Sequence, residues 1–374
     1  MTLPSKLVRD RPALVLVYGV LASLGMATGG LLGILWGRTH LVPNWTPPEV
    51  AHNLPLLPGI WAYNVRRPAV MAYSPQLQAI VNEQVASLKA KGVPTAPLSI
   101  TLIDIRDPQA PQFAGYQQSQ LRYPASVSKL FWMVAFFGAL QAGRITDAQA
   151  EGVDVAAMVR DSSNDAASDV IDLLTGTRSG ATLPPAEFEV WQRQRQQLTT
   201  FFTSAGFTGL DVNHKNFPLF GLGWESPQGR ELQLRGGPEQ PSRNAMTTAQ
   251  AGRLLYEIYL GQAVSPNHSR QMRDLLRRDL RPAAWQGIPN NAVEGFLGEG
   301  VPPAVTYLSK EGLTTTSRQE AALVASNDGQ MAYILVVFGD HPAYAADLSL
   351  FPAVSRGVHE RMVQGIPAPA PRLP

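Results

Sequence analysis

Three short patterns bring together residue types that can make and break an acyl bond. Ser126 lies three residues before Lys129 in "YPASVSKL", Ser162 two before Asn164 in "RDSSND", and Lys310 two before Gly312 in "YLSKEGL". The chain has six lysines, and Lys129 alone has a serine three places ahead of it. Residues i and i+3 share a helix face, so the two side chains would point the same way. A lysine desolvated in an apolar helix has a lowered pKa and can accept a proton from a neighbouring hydroxyl. A second reading stands beside this one: Ser126 is a helix cap and Lys129 snorkels to solvent. Ser162–Asn164 equally fits helix capping, and its spacing recurs at Ser242–Asn244 and Ser265–Asn267. Lys310 equally fits an exposed strand lysine beside a turn, with Gly312 allowing close approach of backbone to a ligand.

The elements that would position these residues follow from periodicity. Pro75–Lys91 has amphipathic helical spacing, and "LSITLIDIRD" alternates with β-branched residues as a strand does. "QFAGYQQSQLRYP" reads as its hairpin partner. Helical spacing then dominates from Val127 to about Gly300, at Val155–Val159, Ala166–Leu174, Phe188–Phe202, Thr247–Leu260 and Ser269–Leu280. Strands return in "AVTYLSKEGL", "QEAALVASND" and "QMAYILVVFGD", and a helix over Leu348–Val363 follows. Strands at both ends with helices between predict an α+β sandwich: one antiparallel sheet with flanking helices, plus an all-α lobe. A cleft between the lobes is the natural place for a site.

The ends of the chain differ from its middle. Ala13–Gly37 runs 25 residues without a charge, more than the ~20 that cross a bilayer. Lys6, Arg9 and Arg11 precede it, so the positive-inside rule predicts residues 1–12 in the cytoplasm. Residues 13–37 would be a single-pass anchor in a bacterial inner membrane, with the rest on the periplasmic side. A buried core helix and a cleaved signal peptide are the competing readings. Residues 38–74 carry a proline-rich linker, 75–365 a folded domain, and 366–374 a proline-rich tail.

Composition removes several functions. There is no cysteine, which excludes disulfides, thiol nucleophiles and cysteine-bound zinc. A net charge of +2 gives no electrostatic case for nucleic acid. The six histidines show no metal-binding spacing, and Gly-x-Ser-x-Gly does not occur. "FGLGWESPQG" lacks the third glycine of a dinucleotide fingerprint. No metal or cofactor is implied.

The order Ser-x-x-Lys, Ser-x-Asn, Lys-x-Gly resembles the penicillin-recognising serine hydrolases, and most closely the class A β-lactamases. "YPASVSKL", "MVRDSSNDAASDVI" and "RNAMTTAQAGRLLYEIYLG" are similar to that family beyond the motif residues. The resemblance covers about residues 75–365. It implies that Ser126 is the acylated nucleophile, oriented and deprotonated by Lys129. Ser162 would relay a proton to the leaving nitrogen with help from Lys310, and Asn164 would hold the substrate's amide carbonyl. Lys310 would also attract a substrate carboxylate. The amides of Ser126 and of Leu313, just after Gly312, would form the oxyanion hole. Expected substrates are β-lactams, or alternatively D-alanyl peptides of the cell wall. A third possibility is a wall-binding homologue without activity.

Three departures stand against the family pattern. Ser163 occupies a common aspartate position, which would loosen its loop. Glu311 replaces a small hydroxyl residue; pointing into the cleft it would repel an anionic substrate, whereas strand alternation allows it to point away, with Lys310 and Gly312 inward. The interval from Ser126 to Ser162, 36 residues, is shorter than the family's, whereas "TGTRSGATLPPAEFEVWQRQRQ" and "HKNFPLFGLGWESPQG" look like insertions. The resemblance further implies a glutamate that holds and activates the water hydrolysing the acyl-enzyme. Family spacing favours Glu231, Glu225 fits the local Trp-Glu pattern, and the role can also be unfilled. Without such a residue the chain would acylate and turn over slowly.

Overall fold

The computed structural model describes residues 61–65, 67–236 and 242–365. The expected anchor at 13–37 and the tail at 366–374 lie outside these residues. Among the described residues no helix is long and apolar enough to cross a membrane.

Six strands form one sheet: β1 (Ala72–Tyr73), β2 (Leu98–Asp104), β3 (Gln112–Tyr116), β4 (Val305–Leu313), β5 (Arg318–Ser326) and β6 (Ala332–Gly339). Their order is β1-β3-β2-β6-β5-β4. The early hairpin and the late strands join through β2 and β6, antiparallel from Leu98↔Gly339 to Asp104↔Tyr333. The sheet is mixed rather than purely antiparallel, because β1 pairs parallel to β3. Those two residues fall in the segment read as a linker, where proline masks any strand period. They cover the outer edge of β3, which would otherwise offer unpaired backbone groups.

Alternation along the strands builds two cores. Ile100, Leu102, Tyr307, Val324, Tyr333 and Leu335 face one way, against α1 (Pro75–Ala90) and the C-terminal helix Leu350–Val363. Ile103, Leu308, Leu323, Ile334 and Val336 face the helical lobe. Both faces are covered, so the central strands read as continuous apolar runs.

At the centre of the lobe is α2 (Ser128–Gln141), buried from Ser128 to Ala139. A helix apolar on every side belongs inside a bundle, not on its surface. Around it lie α3 (Val155–Arg160), α4 (Asn164–Thr175), α5 (Pro185–Arg195), α6 (Thr248–Tyr259) and α7 (Pro266–Leu276). The helical span read over Phe188–Phe202 is two helices, α5 and Gln197–Thr203, meeting at Gln196. The helix read over Ser269–Leu280 ends at Leu276, where Arg277 turns extended and bridges to Leu308.

The folded unit reaches ahead of residue 75. Trp61, Ala62 and Tyr63 are buried in the lobe, and the amide of Ala62 donates to the Gly138 carbonyl at 3.0 Å. A Cβ at Gly138 would lie 3.0 Å from the Ala62 carbonyl oxygen, so α2 carries glycine where this segment crosses it.

Candidate active site

Ser126 lies in a 3-10 turn, Ala125–Val127, immediately before α2. Neither that turn nor α2 is capped by a side chain, so the Ser126 hydroxyl is not spent on helix capping. Lys129 does not snorkel: its side chain is 0% exposed. Its Nζ donates to Ser126 Oγ at 2.9 Å, Asn164 Oδ1 at 2.7 Å and Ser162 Oγ at 3.3 Å, and also to the Ser162 carbonyl. Burial holds the Lys129 amine well below the ordinary lysine range, the cation of Lys310 pushes the same way, and Glu311 partly opposes both. The helical-face and desolvation arguments therefore hold together, and the capping reading of this pair is excluded.

Two residues of the site have strained backbones. Ala125 has φ +47° and Ser162 φ +56°, a region costly for residues with a Cβ. Packing holds each in place. The Ala125 carbonyl accepts from Ser128 Oγ at 2.8 Å and Asn216 Nδ2 at 3.3 Å. Ser163 caps α4, its Oγ accepting from the Ala166 amide at 3.1 Å. The loop feared loose for want of aspartate is thus closed by serine itself. Asp165, in the first turn of α4, accepts from the amides of Phe220 and Gly221 at 3.2 and 3.1 Å.

The third motif arrives on β4, the last strand in the sheet order. Lys310 Nζ donates to Ser162 Oγ at 3.0 Å, so the two lysines approach one hydroxyl from opposite motifs. Gly312 packs against the nucleophile turn: a Cβ there would be 2.8 Å from the Pro124 carbonyl oxygen and 2.9 Å from the Ser126 amide nitrogen. Any side chain would lift β4 off Ser126. The next residue, Leu313, is half exposed at the strand end.

Of the two orientations open to Glu311, the structure shows its carboxylate turned back toward Lys310. Alternation does set it opposite Lys310 and Gly312, beside its cross-strand partner Glu320. Its carboxylate nonetheless returns to the site, accepting from Lys310 Nζ at 2.6 Å and from Arg278 Nη2 at 3.0 Å. An edge strand leaves room for a side chain to turn around it. Both partners hold Glu311 at about 2 despite its burial. Burial lowers Lys310 to about 8, with Glu311 opposing. Arg278, which also donates to the carbonyls of Arg160 and Val159 at 2.8 and 2.9 Å, had no sequence signal beyond its place in an arginine-rich run.

Neither glutamate expected to activate water reaches this cluster. Glu231 is buried in a separate ion group: Arg195 donates to it at 3.0 and 3.1 Å and Ser179 at 2.8 Å, with Lys215 Nζ at 3.9 Å. Arg195 comes from the first insertion, and so the family spacing that selected Glu231 leads to a structural anchor. Glu225 is exposed. The loop nearest the site presents Asn216, which donates to Ser128 Oγ at 3.2 Å, and Pro218, whose carbonyl accepts from Asn164 Nδ2 at 3.2 Å. Between them stands Phe217, with the Arg235 guanidinium over its ring at 5.6 Å. Among the described residues no carboxylate bonds to Ser126, Lys129 or Ser162, and no group of acidic and histidine residues is placed to hold a metal ion.

The arrangement can perform one half of an acyl transfer. It has a hydroxyl, a buried amine to take its proton, and a second hydroxyl positioned to return one. The model of the β-lactamase enzyme family matches residues 192–362. No curated protein matches the chain. Among solved structures it is similar to PBP-A at 18% identity, covering 79% of this chain and 99% of that one, with a TM-score of 0.51. A β-lactamase from Sphaerobacter thermophilus DSM 20745 gives 14% identity, 76% and 96% coverage and a TM-score of 0.50. A variant of the last common ancestor of Gram-negative bacteria class A β-lactamase gives 19%, 75% and 97%, and 0.50.

Proposed function

We propose that this chain is a penicillin-recognising serine hydrolase, a reading supported by the family match, the fold and the motif geometry, and that Ser126 is acylated by a β-lactam or D-alanyl amide and released slowly. The observation that carries the reading is the fully buried Lys129 amine 2.9 Å from Ser126 Oγ. In its neutral form Lys129 takes the Ser126 proton as Oγ attacks the carbonyl carbon. The amides of Ser126 and Leu313 receive the developing oxyanion. Ser162 Oγ gives its proton to the leaving nitrogen as the carbon–nitrogen bond breaks, and is reprotonated from the lysine pair that bonds it. Asn164 is half committed to Lys129 and Pro218 and orients the substrate from that position.

Release of the acyl group is the weak half. Water attack on the ester needs a general base, and no carboxylate bonds to the nucleophile cluster among the described residues. This favours a penicillin-binding, peptidase-like protein over a fast lactamase. A PBP-A variant is described as an acyl-enzyme complex with penicillin G, which illustrates such an intermediate on this fold. The uncharged run at 13–37 supports a membrane anchor that holds the domain on the periplasmic face, near cell-wall peptides.

The test is intact mass spectrometry after incubation with benzylpenicillin. One penicilloyl adduct is expected on Ser126, absent in Ser126→Ala, and surviving removal of free ligand. Turnover without an observable adduct would reverse the preference for slow release. Failure of any acyl donor to modify Ser126 would overturn the catalytic reading.

A further inference from the structure

We propose that Glu311 occupies the anion subsite beside Ser126 with the chain's own carboxylate, so that among the acyl donors of the preceding reading the site reacts faster with those bearing no carboxylate next to the scissile nitrogen, and more slowly with those that carry one. This rests on the reading of Ser126 as the acylated nucleophile. The position of the subsite follows from the proton path. Ser162 protonates the leaving nitrogen, and Lys310 Nζ lies 3.0 Å from Ser162 Oγ. A substituent on the carbon beside that nitrogen therefore faces Lys310. An anion there would normally be drawn to Lys310 and Arg278.

Both cations are already engaged. One Glu311 oxygen takes Lys310 Nζ at 2.6 Å and the other takes Arg278 Nη2 at 3.0 Å. All three side chains are buried or nearly so, where screening by solvent is weak. Glu311 is tethered one residue from Lys310, so it is always present at high effective concentration. An incoming carboxylate would have to displace it from both cations or share the site as a second negative charge. Two carboxylates in one site cannot both stay ionised without penalty, and Glu311, held at about 2, does not yield its charge by protonation. An uncharged donor meets no such conflict. The residue thus acts as a built-in repulsive element, the usual means by which a site rejects a near relative of its substrate.

A structural role, in which Glu311 only offsets the buried charge of Lys310, leads to a different result. The experiment compares benzylpenicillin with its methyl ester, which differ in this one charge. Rates of Ser126 adduct formation are measured by intact mass for the wild-type chain, Glu311→Thr and Glu311→Gln. The wild type should react with the ester at least about tenfold faster than with the acid. Both substitutions should remove that preference and raise the acid rate by about tenfold. Equal wild-type rates for acid and ester overturn the proposal, and this comparison needs no variant to fold. An unchanged ratio in variants with unchanged melting temperature overturns it as well. Absence of adducts from both compounds in all three proteins refutes the acylation reading instead, and the two failures are thereby distinct.

Discussion

Lys129 meets four oxygen atoms and no solvent, an environment that decides its chemistry more than its position in a motif does. In the proposed mechanism its working form is the neutral amine. Burial and the neighbouring Lys310 cation hold its pKa well below 10.5, so the neutral form is populated far below the pH at which an ordinary lysine loses its proton. Acylation of Ser126 should therefore level off below the pH range that leads up to an ordinary lysine's 10.5, and fall toward acid. A lysine with unshifted pKa would give a rate climbing about tenfold per unit over that range, and such a slope in stopped-flow or mass-resolved kinetics would refute the assignment. Lys129→Arg should lose at least about 10²-fold in acylation, because a guanidinium does not deprotonate and the base contribution disappears. Retention of the rate would place the base elsewhere. The sequence made Ser126, Lys129, Ser162, Asn164, Lys310 and Gly312 legible because each motif is local: its spacing survives any change in the rest of the chain. Arg278 and the return of Glu311 were not legible. Both depend on which way a side chain turns at a strand edge, and no spacing encodes that.

At the scale of the element, the two insertions anchor Glu231 in an ion group apart from Ser126. Arg195 on α5 is fully buried, stacks over Trp191 at 4.6 Å, and donates to Thr177 Oγ1 at 2.8 Å as well as to Glu231. Lys215 donates to Ser168, Asp172 and Ser179 at 2.7, 2.7 and 2.9 Å. Four chain segments meet in one neutralised cluster, which fixes the loop carrying Asn216 and Pro218 against the site. Local sequence gave the helices of this region, but counting from a family pattern across two insertions fails once they carry their own ion pairs. Glu231→Gln removes one charge from the buried group and leaves Arg195 short of its partner. The expected cost is about 3 kcal/mol in urea unfolding, with no change in the lifetime of the Ser126 adduct. A much longer lifetime at unchanged stability would restore Glu231 as the base that activates water.

At the scale of the molecule, the lobe is completed by chain that composition assigned to a linker. Tyr63 is fully buried, its ring within 5.5 to 6.2 Å of Phe201, Phe202 and Phe207, and its hydroxyl donates to Glu257 on α6. Arg253 donates to the other Glu257 oxygen at 2.7 Å. Asn64 fastens the segment further, its amide donating to the Ala263 carbonyl at 3.3 Å. Proline-rich surroundings hid this: Trp61–Tyr63 is too short to show a period, and its partners lie far along the chain, the Tyr63–Glu257 pair being separated by 194 residues. A protein spanning 75–365 would expose the phenylalanine cluster and leave a Glu257 oxygen without its donor. Burial of one tyrosine contributes roughly 1.5–3 kcal/mol, and an unpaired buried acceptor costs roughly 1–3 kcal/mol. Against a protein spanning 61–365, the shorter one should lose at least about 3 kcal/mol in denaturant unfolding, on those two contributions together. Tyr63→Phe, which keeps the ring and deletes the hydroxyl, isolates the second of them and should cost about 1–2 kcal/mol. Equal stability of the two lengths would mean that the segment rests on the lobe without supporting it. The expected loss would instead make the stretch after residue 60 part of the catalytic domain, because it packs on the same α2 whose first turn carries Lys129.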